Sequence, residues 1–173
     1  GRAAVLVVEQ RLGLDLLRQA MVDLQVAGMA VFWPWVLGIY ADLCRRAGRH
    51  EEAVGHLREA LAASRRSGER VWEPGLLRKL GELLARQPAA ESGAEDTPER
   101  CFIAAILRAR EQGSRVFEQR AAHSLEALGT SSAAAAAVLA ESRERLAGTF
   151  DEPAPDDRAS EDPAPDRSTS GDL

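Results

Sequence analysis

The sequence predicts an all-α fold, a stack of antiparallel helix pairs, and three observations predict it. Apolar residues recur at helical spacing, while alternating runs of the strand type are nearly absent. Glycines at 28, 48, 68, 113, 129 and 148 each follow a helix-like stretch, where a C-terminal cap is expected. A small–large–small triplet also repeats: Gly13, Leu17 and Ala20 return 40 residues on as Ala53, Leu57 and Ala60, and 45 further on as Pro98, Phe102 and Ala105. A fixed period of helix pairs is the mark of an α-solenoid, in which each pair leaves an apolar face that only the next pair can cover.

Seven helices follow in order. The first is expected over 3–27, where Gly13 weakens the pattern. The second, 33–47, opens on Pro34, which a first helical turn tolerates. The third, 51–67, carries Ala53, Leu57, Ala60, Leu61 and Ser64 on one face and charge on the other, and stops at Gly68. The fourth, 71–86, has Pro74 near its start, and the loop Gln87–Asp96 with Pro88, Ser92 and Gly93 absorbs the five extra residues of the second period. Thr97-Pro98-Glu99 reads as an N-cap, a proline and a first-turn acid for the fifth, 97–112. The sixth and seventh are expected over 115–128 and 131–147. Trp33, Trp72 and, 45 residues later, Phe117 mark the other helix of each pair and read as packing between neighbours.

Of 173 residues, 1–150 form the helical domain and 151–173 an acidic tail. The domain carries 20 Lys+Arg against 19 Asp+Glu, and the tail 2 against 8. A near-neutral domain with 5% aromatic residues argues against direct nucleic-acid binding. Asp151–Arg158 is nearly copied by Glu161–Arg167, and Leu173 is the only large apolar residue there, so the tail is expected to be disordered and solubilising. No apolar run has the roughly 18 residues of a membrane helix. Two cysteines make no disulfide framework, which suits a reducing cytoplasm. Gly1 is not a start residue, so the chain is expected to be the downstream end of a longer, bacterial polypeptide; 21 of its 22 cations are Arg.

Catalytic and metal constellations are not expected. Glu52 and His56, four apart on one helix, offer two ligands where zinc takes at least three; His50 and His56 do not share a face. Cys44 and Cys101 sit on core faces as small hydrophobes, with Arg45, Arg46 and His50 near Cys44 as the one hint of activation. Ser64, Ser67 and Ser142 lack a nucleophile elbow. Glu51/Glu52 and Glu91/Glu95 read as helix-start or loop charges. No phosphate loop occurs, and no cofactor is expected.

The triplet, within a helix pair of about 34 residues or slightly more, resembles the tetratricopeptide repeat. Residues 47–53 (Ala-Gly-Arg-His-Glu-Glu-Ala), 68–73 (Gly-Glu-Arg-Val-Trp-Glu), 77–84 (Leu-Arg-Lys-Leu-Gly-Glu-Leu-Leu), 101–106 and 118–125 look like the C-terminal repeat region of large bacterial signalling ATPases. Those proteins carry adenylate/guanylate cyclase or LuxR-type DNA-binding domains. The resemblance spans about residues 10–151, with Pro98, Gly13 and the Gln87–Asp96 loop as departures. It implies a right-handed superhelix that holds a protein or peptide segment, possession of which by an upstream ATPase or cyclase domain of the same polypeptide is one expectation. None of the family's enzymatic or DNA-binding motifs is present in these residues. In such repeats the first helix of each pair lines the concave side, which implies that Trp35, Asp42, Arg45, Arg46, Arg78, Glu82, Arg86, Arg120 and His123 face inward. Trp35, with no aromatic counterpart one period on, reads either as an anchor for a partner or as packing.

Overall fold

A computed structural model describes residues 13, 15–23, 32–86, 96–129 and 132–147. Among these residues the structure is helical and contains no strand. A helix over 15–23 (α1) precedes α2 (Trp33–Arg46), α3 (His50–Ser67), α4 (Glu73–Leu84), α5 (Pro98–Glu111), α6 (Arg115–Leu128) and α7 (Ala133–Arg145). The acidic tail, the ends of the expected first helix and most of the Gln87–Asp96 loop lie outside the described residues.

The termini follow the local signals. Gly68 and Gly129 end α3 and α6 in the left-handed conformation, at φ 76° and 69°. Thr97 accepts a hydrogen bond from the Arg100 N–H at 3.2 Å and caps α5. Ser132 does the same for α7 through the Ala135 N–H at 3.1 Å. Pro34, Pro74 and Pro98 each occupy a first-turn position.

Consecutive helices from α2 to α7 pack on one another, and α4 also meets α6, as α5 meets α7. The apolar interior forms two clusters. One joins α2, α3 and α4 through Leu37, Tyr40, Leu57, Leu61, Leu80 and Leu83; the other joins α5, α6 and α7 through Phe102, Ile106, Ala122, Leu125 and Ala135. Helix α5 straddles them, with Cys101 in the first and Phe102 in the second, and Leu77 packs against both. Ala53, Ala60 and Ala105 are fully buried, and the second and third triplets bury Leu57 and Phe102 between them.

The first triplet does not follow. On α1 the packed residues are Leu17 and Met21, one turn apart, while Gly13 and Ala20 are exposed. A small residue is buried only where a second helix crosses it, and no described helix crosses α1 at Gly13 or Ala20. Pro98 is half-buried and serves as a helix starter. Trp33 and Trp72 are half-buried against the first cluster, as expected of packing residues.

Glycines set the closest approaches. A Cβ on Gly81 of α4 would stand 2.6 Å from Phe102 Cε1 of α5. On Gly38 of α2 it would stand 2.8 Å from Leu76 Cδ2 of α4. Two buried acids in first turns then pin α5 from both sides. Glu73 of α4 meets Arg108 at 3.4 Å, and Glu118 of α6 accepts a hydrogen bond from Arg110 Nε at 2.7 Å. Arg110 also donates to the Val138 carbonyl at 2.8 Å and to Ser142 Oγ at 2.7 Å, and so ties α7 down. Helix α7 needs this tether because Ala133–Ala137 is all alanine and marks no face by side-chain pattern.

Two outcomes are expected in urea unfolding. Gly81→Ala destabilises by about 1–3 kcal/mol because the buried Phe102 ring cannot retreat, whereas Gly55→Ala, with open space around its Cβ, stabilises by about 0.5–1 kcal/mol. Glu118→Ala leaves the Arg110 guanidinium buried without its main counter-charge and destabilises by about 3–5 kcal/mol.

Candidate functional site

The C-terminal part of α2, α4 from Arg78 onward and α6 from Arg120 onward border a groove of about 960 Å³. Helix C-termini carry partial negative charge and favour cations beside them. Asp42, Arg45 and Arg46 come from α2; Arg78, Lys79, Glu82 and Arg86 from α4 and the turn after it; Arg120, Ser124, Ala127 and Leu128 from α6. Phe102, from α5, reaches the groove as a largely buried ring.

Seven of the nine residues expected to face inward line this groove. Trp35 and His123 do not. Trp35 lies two turns before Asp42, at the other end of α2, 44% exposed, with its ring 6.0 Å from that of Trp72 and tilted by 38°. His123 points to solvent with its Nδ1 4.0 Å from Glu126. Three residues on from Arg120 is about 300° around the helix, and four is about 400°. Ser124 is therefore the residue that continues the Arg120 row, and sequence stepping missed it. It missed Lys79 too, which sits one position off the Arg78–Glu82–Arg86 row and crosses to α2 on its long stem.

The groove holds six cations and two carboxylates. Asp42 accepts from Lys79 Nζ at 2.9 Å and from Arg45 Nε at 3.3 Å. Burial favours the neutral carboxyl, but the two cations outweigh it and hold Asp42 below its ordinary value. Arg78 pairs with Glu82, whose Oε1 also lies 3.3 Å from Ser124 Oγ. No carboxylate among the described residues pairs with Arg46, Arg86 or Arg120. Among the described residues, three guanidinium forks thus lie beside a partly neutralised wall, an arrangement chemically suited to carboxylates.

Other singled-out groups lie away from the groove. His50 is exposed. Glu52 and His56 of α3 are joined by Cys44 of α2, and one donor atom from each lies within 4.8 Å of the others. Both thiols are buried and free. Burial raises Cys44, with the Arg49 charge pulling the other way, and burial together with the Asp96 carboxylate pushes Cys101 up to about 11. Such thiols are weak nucleophiles at neutral pH. Ser64 is buried and bonded to the Glu69 carbonyl, and Ser142 to Arg110 and Glu118, which gives both hydroxyls structural partners.

Comparison with protein-family models, with curated proteins and with solved structures finds no match to this chain.

The Asp42–Lys79 link is expected to depend on pH in a defined direction. A carboxyl lowered by folding contributes stability above its unfolded value, near 3.8, and loses that contribution as pH falls through the lower folded value. Chemical denaturation of the native chain and Asp42→Asn should therefore differ above about pH 5, by no more than about 1 kcal/mol, and converge in acid.

Proposed function

We propose that this chain is a non-catalytic interaction module, an α-solenoid of the tetratricopeptide type, whose groove captures an acidic segment of a protein partner. One observation carries this reading: residues drawn from three successive first helices converge on a groove with a surplus of four positive charges and three arginines that no carboxylate among the described residues pairs. The helix contacts support the solenoid, since α4 meets its own partner α5 and the first helix of the following pair, α6, while α5 meets α7. The groove is lined from several helices, α2, α4 and α6 among them, which suits an extended peptide lying across them. The near-neutral balance of residues 1–150 favours a local acidic motif over a long phosphate backbone.

The same reading makes the chain a regulatory part of a larger bacterial signalling protein, with an ATPase, cyclase or LuxR-type domain upstream. The support is the wording of residues 47–53, 68–73 and 77–84. In that setting the acidic segment belongs to the upstream domain, which the groove holds until a signal releases it.

Fluorescence polarisation with a labelled Asp/Glu-rich peptide tests the groove. The native chain should bind it with an affinity that falls as salt rises. Arg86→Glu combined with Arg120→Glu should weaken binding by at least about tenfold, the equivalent of 1.4 kcal/mol, with the helical circular dichroism unchanged. Equal binding by the reversed variant would refute the reading, as would preference for an oligonucleotide over the peptide.

A further inference from the structure

The α2–α3 hairpin brings together a thiol, a carboxylate and an imidazole on the side of α2 away from its groove residues. Glu52 and His56 stand one turn apart on α3, and Cys44 faces them from α2. One donor atom from each lies within 4.8 Å of the other two. Around a tetrahedral zinc ion, bonds of about 2.0–2.3 Å put donors about 3.6 Å apart, so a small side-chain rotation closes the set. Sequence spacing alone offers only the α3 pair; the third donor exists because the hairpin folds Cys44 onto it.

A second observation points to the same place. Two buried side-chain polar atoms lie here: His56 Nδ1, which has no hydrogen-bond partner among the described residues, and the Tyr40 hydroxyl, which stands beside the Cys44 thiol. The Tyr40 ring meets the imidazole edge-on at 4.7 Å between centroids. Buried polar atoms without partners are uncommon, and each calls for a ligand, an ion or water. Glu59 Oε2 stands 3.6 Å from His56 Nδ1, beyond hydrogen-bond reach.

We propose that Cys44, Glu52 and His56 form a binding site for a zinc-class divalent ion. Thiolate and imidazole donors select borderline-soft metals over magnesium or calcium. Binding breaks the Cys44 S–H bond, releases the proton to solvent and forms a sulfur–metal bond, with no change of oxidation state. Glu52 is exposed, His56 half-buried and Cys44 buried, so the ion enters from the carboxylate side. Arg49 holds Glu52 through two hydrogen bonds, at 2.7 and 2.5 Å, and must let go. An exposed pair of this kind is weak and yields to a divalent ion. The fourth position is left to water or to a side chain from a partner. The metal would clamp α2 against α3 and steady the helix that carries Asp42, Arg45 and Arg46, although the groove reading does not depend on it.

The test uses the full chain, first treated with chelator, then titrated with Zn²⁺ and Co²⁺. One equivalent of Zn²⁺ should bind by calorimetry and raise the thermal midpoint. Co²⁺ should produce a sulfur-to-metal charge-transfer band that Cys44→Ser abolishes and Cys101→Ser retains. His56→Ala should weaken Zn²⁺ binding by at least about tenfold, and Glu52→Gln by less, since the carboxylate is the exposed ligand. If Cys44→Ser unfolds, alkylation mapping of the native chain replaces it, and Zn²⁺ should slow labelling of Cys44 but not of Cys101. Absence of binding to the folded chain would overturn the proposal, and so would a cobalt spectrum without the sulfur band or zinc protection confined to Cys101.

Discussion

Close approach of helices through residues without bulk is the constraint on which the rest of this structure depends. Gly81 admits the Phe102 ring to a distance that any Cβ would forbid, and Ala53, Ala60 and Ala105 are buried without residual exposure. The contact at Gly81 joins the two apolar clusters, because Phe102 belongs to one and the rest of α4 to the other. The same ring then reaches the groove. Packing and site are thus one geometry: moving α4 away from α5 would move Arg78, Glu82 and Arg86 away from Arg120.

Arginine does two different jobs in this chain, and burial separates them. Arg110 has lost nearly all contact with solvent and has four partners to compensate, Glu118, Glu141, Val138 and Ser142. A buried guanidinium is tolerated only with such satisfaction, and it then specifies how α5, α6 and α7 meet. Arg46, Arg86 and Arg120 keep their charge at the surface and have no counter-ion among the described residues. The former type holds the scaffold; the latter leaves charge available to something outside it. Sequence alone shows 21 arginines and does not separate the two, since the difference lies in which neighbouring helix covers each one.

Much of the groove was nonetheless legible. Stepping by four along α4 links Arg78, Glu82 and Arg86, and all three line it. The same stepping failed at Trp35 and at His123. It carried Trp35 inward although two turns of α2 separate it from the groove, and it took His123 where the helical angle favours Ser124. Lys79 was invisible for another reason: its role depends on reach across to Asp42, a distance set by the spacing of α2 and α4. The meeting of Cys44 with Glu52 and His56 is of the same kind, since residues on two helices are brought together by a turn whose path no spacing rule states.

From the second helix on, the sequence by itself determined the helices, their order and, to within a residue or two, their ends, because apolar period, first-turn prolines, caps and glycines act within a few residues of one another. The buried triplet at 53–60 and the buried Phe102 and Ala105 follow equally, as a small face presented to a neighbour has few other uses. Tertiary structure alone decided which polar residues share a space: Arg46, Arg86 and Arg120 in one groove, Arg110 at the centre of three helices, Cys44 beside His56. Those meetings depend on the distance and rotation between helices, which are set by packing volume summed over both clusters and have no local signature in the chain.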